Sequence, residues 1–304
     1  MRITNFKLRI TNAGFWFRSS LFFCLILFFS TNVFTQSLEI VTQIIERGNV
    51  EQKRDALLQI RNLQTAEASR VALPALKDSS EIVRAAAAFS VIFTPKDEAV
   101  RNLTPLLADK KPLVRREAAY ALGKVGDAVS INPLLTLFQK DKVLEVRNAA
   151  IVALGEIGDV SVIPELTKIL QKKPSKKEDF LRRSAARSVG QIAQIIQTGV
   201  REVVTPENRT PLKNEIVEPA KNQKLNNEFS FFQPAAQILI QVLRNADEAD
   251  DVRREAAFAL GAIGDETSIA VLQSNFNAED YYLAQICREA LAKIEDKISQ
   301  ANAK

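Results

Sequence analysis

The chain has 304 residues, 46% of them hydrophobic, which is enough apolar material to bury a core and excludes disorder of the whole chain. Gly (10) and Pro (11) are scarce while Ala, Leu, Ile, Val, Arg and Glu dominate, a composition that favours helix. The net charge of +5 does not mark a nucleic-acid binder: Arg2, Lys7, Arg9 and Arg18 stand in a first segment without acids, and apart from those four, 37 basic residues face 36 acidic ones.

That first segment, residues 1–36, has a basic start, an apolar run from Leu21 to Phe29 and a polar stretch from Ser30. It reads as a secretory signal peptide, with Val33 and Thr35 as the small residues before a cut near Gln36. The run falls short of the roughly 20 residues that span a bilayer. Counting from Phe15 to Phe34, with Arg18 reaching to the interface, leaves an uncleaved membrane anchor as the alternative. The expected address is therefore the periplasm, the cell envelope or the outside of the cell. Once the leader is removed Cys287 is the one cysteine left, so packing and not a disulfide must hold the chain.

From residue 38 onward the sequence repeats. Copies begin at Gln52, Val83, Val114, Val146, Leu181, Val252 and Leu283, successive steps of 31, 31, 32, 35, 71 and 31 residues. The clearest pair is Val114-Arg-Arg-Glu-Ala-Ala-Tyr-Ala-Leu-Gly-Lys-Val-Gly-Asp127 and Val252-Arg-Arg-Glu-Ala-Ala-Phe-Ala-Leu-Gly-Ala-Ile-Gly-Asp265. Apolar residues fall at i, i+4, i+7, i+8 and i+11, one face of an α-helix. Gly126, Gly158 and Gly264 stand where a helix needs a left-handed terminator, and Asp127, Asp159 and Asp265 stand where the next helix needs a cap. A second amphipathic segment, such as Ile131 to Phe138, lies between copies, so the unit is a helical hairpin. Pro74 and Pro105 fall inside the corresponding first helices, which should start late or kink.

The pattern V-R-x-x-A-A-x-A-L-G-x-I-G-D resembles the HEAT-like repeat of the phycobilisome lyases over roughly residues 38 to 300. The resemblance implies an all-α, right-handed α-solenoid of about six to seven HEAT-like helical hairpins. Asp78, Asp109, Asp141 and Asp247 each precede an arginine by six residues, namely Arg84, Arg115, Arg147 and Arg253. In HEAT proteins such residues form a ladder of ionic hydrogen bonds between the turns of adjacent repeats. The Leu181 copy breaks the pattern, with Lys176 in the acid's place. The stretch 198–232 carries Pro206, Pro211 and Pro219 and no period; it reads as a flexible insertion that divides repeats at 38–197 from repeats and a terminal cap at 233–300.

The chain contains no histidine, the commonest general base and metal ligand. Deoxyhypusine hydroxylases are HEAT-like enzymes whose family carries iron on His-Glu pairs, and no position here can take that role. With phosphate loops, paired-cysteine motifs and calcium loops also missing from the sequence, no catalytic residue, cofactor or metal is expected. Positions i+2, i+6 and i+10 of the second helices point off the core and stack between repeats, and in related solenoids those helices line the concave face. Phe89, Arg116, Tyr120, Arg183, Arg187, Arg254 and Phe258 on that stripe resemble the aromatic and arginine anchors of protein interfaces. The reading reached from sequence is an exported, non-catalytic binder of a protein partner, with no small-molecule substrate. A chromophore-lyase-like enzyme of the same repeat family stands as the alternative, and nucleic-acid binding ranks below both.

Overall fold

The structure, a computed structural model, describes residues 38–201 and 225–302. Fourteen helices among these residues pair into seven hairpins. The first helices are α1 (38–47), α3 (Ala66–Val71), α5 (Lys96–Leu103), α7 (Ile131–Lys140), α9 (Ile163–Leu170), α11 (Leu225–Arg244) and α13 (Ile269–Ser274). The second helices are α2 (Val50–Leu63), α4 (Glu81–Ser90), α6 (Pro112–Val125), α8 (Leu144–Ile157), α10 (Asp179–Thr198), α12 (Asp250–Ile263) and α14 (Tyr281–Asn302). This is the all-α solenoid that the repeat implies. The segment read as a leader lies outside the described residues.

Local chemistry sets the boundaries. Gly126, Gly158 and Gly264 end α6, α8 and α12 in the left-handed region, and the carboxylates of Asp127, Asp159 and Asp265 then accept the amides of Val129, Ser161 and Thr267. Pro74 and Pro105 convert the ends of two first helices into 3-10 turns, Leu73–Lys77 and Thr104–Ala108. Helix α11 starts at Leu225, inside the stretch read as an insertion, and carries Pro234 in its interior.

Packing differs between the two layers of helices. Val114, Ala118, Ala121 and Leu122 are fully buried, and small residues let the second helices touch one another more extensively than the first helices do. A Cβ on Gly123 would stand 2.7 Å from the Ala153 Cα, so only glycine permits this approach of α6 to α8. The second helices form the more closely packed layer, the one that lines the concave side in related solenoids. Helix α10 packs directly on α12, so the stack is continuous across the residues between Arg201 and Leu225.

Candidate functional site

Along one edge, where first helices turn into second helices, cations and acids alternate. Lys53 donates to Asp78 at 2.8 Å. Arg84 forms a fork on Asp109, at 2.8 and 2.9 Å, and turns its remaining Nη1 back to the carbonyls of Asp78 and Ser79. Arg115 repeats this on Asp141, at 2.6 and 3.0 Å, and on the Asp109 carbonyl. Each arginine thus bonds the main chain of the aspartate six residues before it and the carboxylate of the following repeat. The Arg84 guanidinium holds the Asp109 carboxyl below the usual carboxylate range. Burial pushes Asp78 and Asp141 upward, but hydrogen bonds from Lys53 and the Ser80 amide, and from Arg115 and the Val143 amide, outweigh it and leave both lowered.

Three ladder residues depart from the expected pairing. Asp247 and Arg253 do not meet: the Asp247 amide bonds the Asn245 side chain, while Arg253 bonds Asn275 at 2.7 Å and Asp250 at 2.9 Å. Glu248, one residue on, fills the acid's place and reaches Arg182 across 66 residues. Its longer side chain is needed because that arginine lies inside the stack, with 1% and 0% of the two side chains exposed. Arg182 also donates to the carbonyls of Ile169, Leu170 and Lys172. Arg147 meets no carboxylate among the described residues. Its Nε bonds the Phe138 carbonyl at 3.1 Å and its guanidinium lies 5.4 Å over the Phe138 ring.

The concave stripe is more occupied than its polarity suggests. Phe89 is half-buried beneath Arg61, and Arg116 is turned onto Glu117. Tyr120 is half-buried, and burial raises its pKa. Arg183 approaches Asp251 at 3.5 Å and lies over Phe180, Arg187 bonds Glu255, and Arg254 bonds Asp280. These three arginines bridge neighbouring repeats. Phe258, expected to be exposed, is 6% exposed, because its ring fills the notch over Gly190, where a Cβ would lie 2.6 Å from the ring. Sequence reasoning missed the acids that receive the arginines. The signal was present: Asp251 and Glu255, in the first turns of α12, are the positions facing Arg183 and Arg187 of α10.

It also missed the most exposed aromatic pair among the described residues. Tyr281 and Tyr282, at the start of α14, are 71% and 63% exposed and meet edge to face with centroids 5.7 Å apart. Arg254 lies 5.6 Å over the Tyr282 ring. Asp280 accepts both Arg254 and the Leu283 amide, which fixes the turn that presents the two rings, and the Arg254 hydrogen bond lowers its pKa. Glu279, the residue before Asp280, is exposed, and Asp251 stands at the start of α12 against Arg183.

A repeating solenoid with an interrepeat ladder defines the class. The family model for HEAT repeats matches residues 69–155 and 233–301, and that for the PBS lyase HEAT-like repeat matches residues 146–172. The chain belongs to the HEAT-repeat family. Among curated proteins it is 29% identical over 272 residues to deoxyhypusine hydroxylase-B of Oryza sativa subsp. japonica, spanning 79% of this chain and 86% of that protein. It is 26% identical to deoxyhypusine hydroxylase of Candida albicans, over 66% of this chain and 70% of that protein. Similar solved structures include human deoxyhypusine hydroxylase in complex with glycerol, with 19% identity, TM-score 0.38 and coverage of 88% of this chain and 99% of that one. Another is the complex of CpcE and CpcF of phycocyanin lyase from Nostoc sp. PCC7120, with 18% identity, TM-score 0.47 and coverage of 88% and 94%.

The curated relatives correct the functional reading made from sequence. The exported, non-catalytic binder without a substrate, together with its signal peptide and its secreted or periplasmic address, gives way to proteins named as enzymes that hydroxylate deoxyhypusine. As for the anchor alternative, no helix among the described residues is long and apolar enough to cross a membrane. The iron centre of the hydroxylases does not fit this chain. It has no histidine, and among the described residues no three or more Cys, Asp or Glu converge to hold a metal ion.

Proposed function

We propose that the chain is a hydroxylase-related HEAT solenoid that recognises a polypeptide carrying a lysine-derived, amine-bearing side chain of the deoxyhypusine kind. The observation that carries this reading is the exposed Tyr281–Tyr282 pair, which follows the carboxylates of Glu279 and Asp280 in one turn. An alkylammonium is attracted to the face of an aromatic ring, by about 0.5 to 2 kcal/mol, and pairs with a carboxylate at the rim. Here the rings are held in place by their own edge-to-face contact and by Arg254, and Asp280 fixes the turn, so little ordering remains when a ligand arrives. The amine-bearing substrate named by the relatives has this chemistry.

Calorimetric titration with a short peptide bearing deoxyhypusine, beside the same peptide with its side-chain amines acetylated, tests the reading. The free amines should strengthen binding about tenfold or more, the size of one cation–π contact added to one ion pair. Equal affinity for the two peptides would remove amine recognition.

A further inference from the structure

Two rungs of the edge ladder lack an acid from the following repeat: Arg253 takes Asn275 and its own Asp250 instead, which leaves Arg147 as the ladder arginine that meets no carboxylate among the described residues. Lys53 finds Asp78, Arg84 finds Asp109, Arg115 finds Asp141 and Arg182 finds Glu248. Between the last two stands Arg147, equivalent to Arg115, with a main-chain carbonyl and an aromatic ring in place of a carboxylate. The offset of 26 that takes Arg115 to Asp141 takes Arg147 to Lys173. Counting six back from Arg182, as Asp109 lies six before Arg115, gives Lys176, and the residue that follows α9 is Gln171. None of these is acidic.

The turn that the register of the ladder sets against this rung is also unlike the others. Three residues join α7 to α8, whereas eight, Gln171 to Glu178, join α9 to α10, and four of the eight are lysines: Lys172, Lys173, Lys176 and Lys177. All four are exposed. Lys142 adds a charge from the neighbouring turn. The nearby acids are few: Glu178 lies 3.8 Å from Lys172, Asp179 opens α10, Glu145 is exposed in the first turn of α8, and Asp141 is already held by Arg115.

We infer that the open rung at Arg147, with the lysines of the α9–α10 turn, is a binding site for an oxyanion, a phosphate or a carboxylate that takes the place of the missing aspartate. The guanidinium presents a planar fork suited to two oxygens, as Arg84 and Arg115 show on their aspartates, and flexible ammonium groups can close over the remaining oxygens. The ligand supplies from outside the charge that each filled rung draws from its own chain. This site is separate from the tyrosine edge, so either can fail without the other.

The test uses thermal melting and calorimetry of the full chain with inorganic phosphate and with a hexaglutamate peptide, at constant ionic strength set with chloride. Either probe should raise the melting temperature; a response to phosphate alone assigns a phosphate group, and a response to the peptide alone assigns an acidic segment. Arg147→Gln should weaken the responding probe about tenfold or more, as loss of a charge-assisted pair does. The same change at the filled rung, Arg84→Gln, should lower stability and leave the anion response intact. Lys173→Asp should restore the rung, raising the melting temperature without anion and abolishing the response. No response to either probe overturns the inference. So does an undiminished response in Arg147→Gln, or, should that variant fail to fold, in Lys173→Asp.

Discussion

Glu248→Gln isolates the most deeply buried charge pair in the stack. The substitution keeps the volume and one carbonyl oxygen but removes the charge that balances Arg182, whose side chain is 1% exposed. Removing one partner of a buried pair costs about 3 to 5 kcal/mol, because the other charge stays buried without compensation. The retained amide oxygen and the carbonyls of Ile169, Leu170 and Lys172 still receive guanidinium N–H groups, which places the expected loss at the lower end, about 3 kcal/mol. Arg182→Met should cost more, since it also strips those carbonyls of their donors. Arg182→Met with Glu248→Leu should recover much of the loss, because matched apolar groups can replace a buried pair at little cost. Urea unfolding followed by far-ultraviolet circular dichroism gives the magnitudes. Amide exchange in α12 and α14 shows whether the loss lies at the α10–α12 seam, as nearest-neighbour coupling in a repeat stack requires. A loss under about 0.5 kcal/mol for Glu248→Gln, or a double variant worse than either single one, would refute the assignment of this pair as the clamp of the seam.

Two further changes probe the ladder and the concave packing. Asp141→Ala should cost about 1 to 3 kcal/mol by leaving Arg115 and the Val143 amide underpaired, while Glu145→Ala, on an exposed acid of the next turn, should cost under about 0.5. The same pairs set the acid limb of stability: folded carboxyls with lowered pKa contribute above the unfolded value of about 4 and lose that contribution as pH falls through their folded values, so Asp141→Ala should flatten the acid limb of a urea titration against pH. Gly190→Ala should destabilise by about 1 to 3 kcal/mol, since its Cβ would meet the Phe258 ring at 2.6 Å and the Ala259 Cα at 2.9 Å; a melting temperature equal to wild type would contradict the packing of α10 on α12.

Period and caps made the solenoid legible. Gly126, Gly158 and Gly264 with their following aspartates announce hairpin boundaries because backbone conformation there is a local matter, and Pro74 and Pro105 mark the 3-10 turns for the same reason. The concave stripe was harder to read because exposure depends on the neighbouring repeat. Phe258 stands at an outward position by helical period, yet the missing side chain of Gly190, 68 residues earlier, draws it inside. Arg183, Arg187 and Arg254 occupy outward positions and are claimed by acids of the next repeat, a pairing that a single-helix projection does not contain. The same limit hid Glu248 behind Asp247. The tyrosine pair went unread because it lies ahead of the copy that begins at Leu283, in a turn whose shape Asp280 and Arg254 determine together.

The chain has three tyrosines, Tyr120 in the concave stripe and Tyr281 and Tyr282 at the exposed edge, so carbon-13 labelling of tyrosine rings gives three separable probes of the proposed amine site. Titration with the deoxyhypusine-bearing peptide should move the ring resonances of Tyr281 and Tyr282 along one saturable curve and leave Tyr120 in place. Movement of Tyr120 with the exposed pair unchanged would put the ligand in the concave groove and contradict recognition at the tyrosine edge.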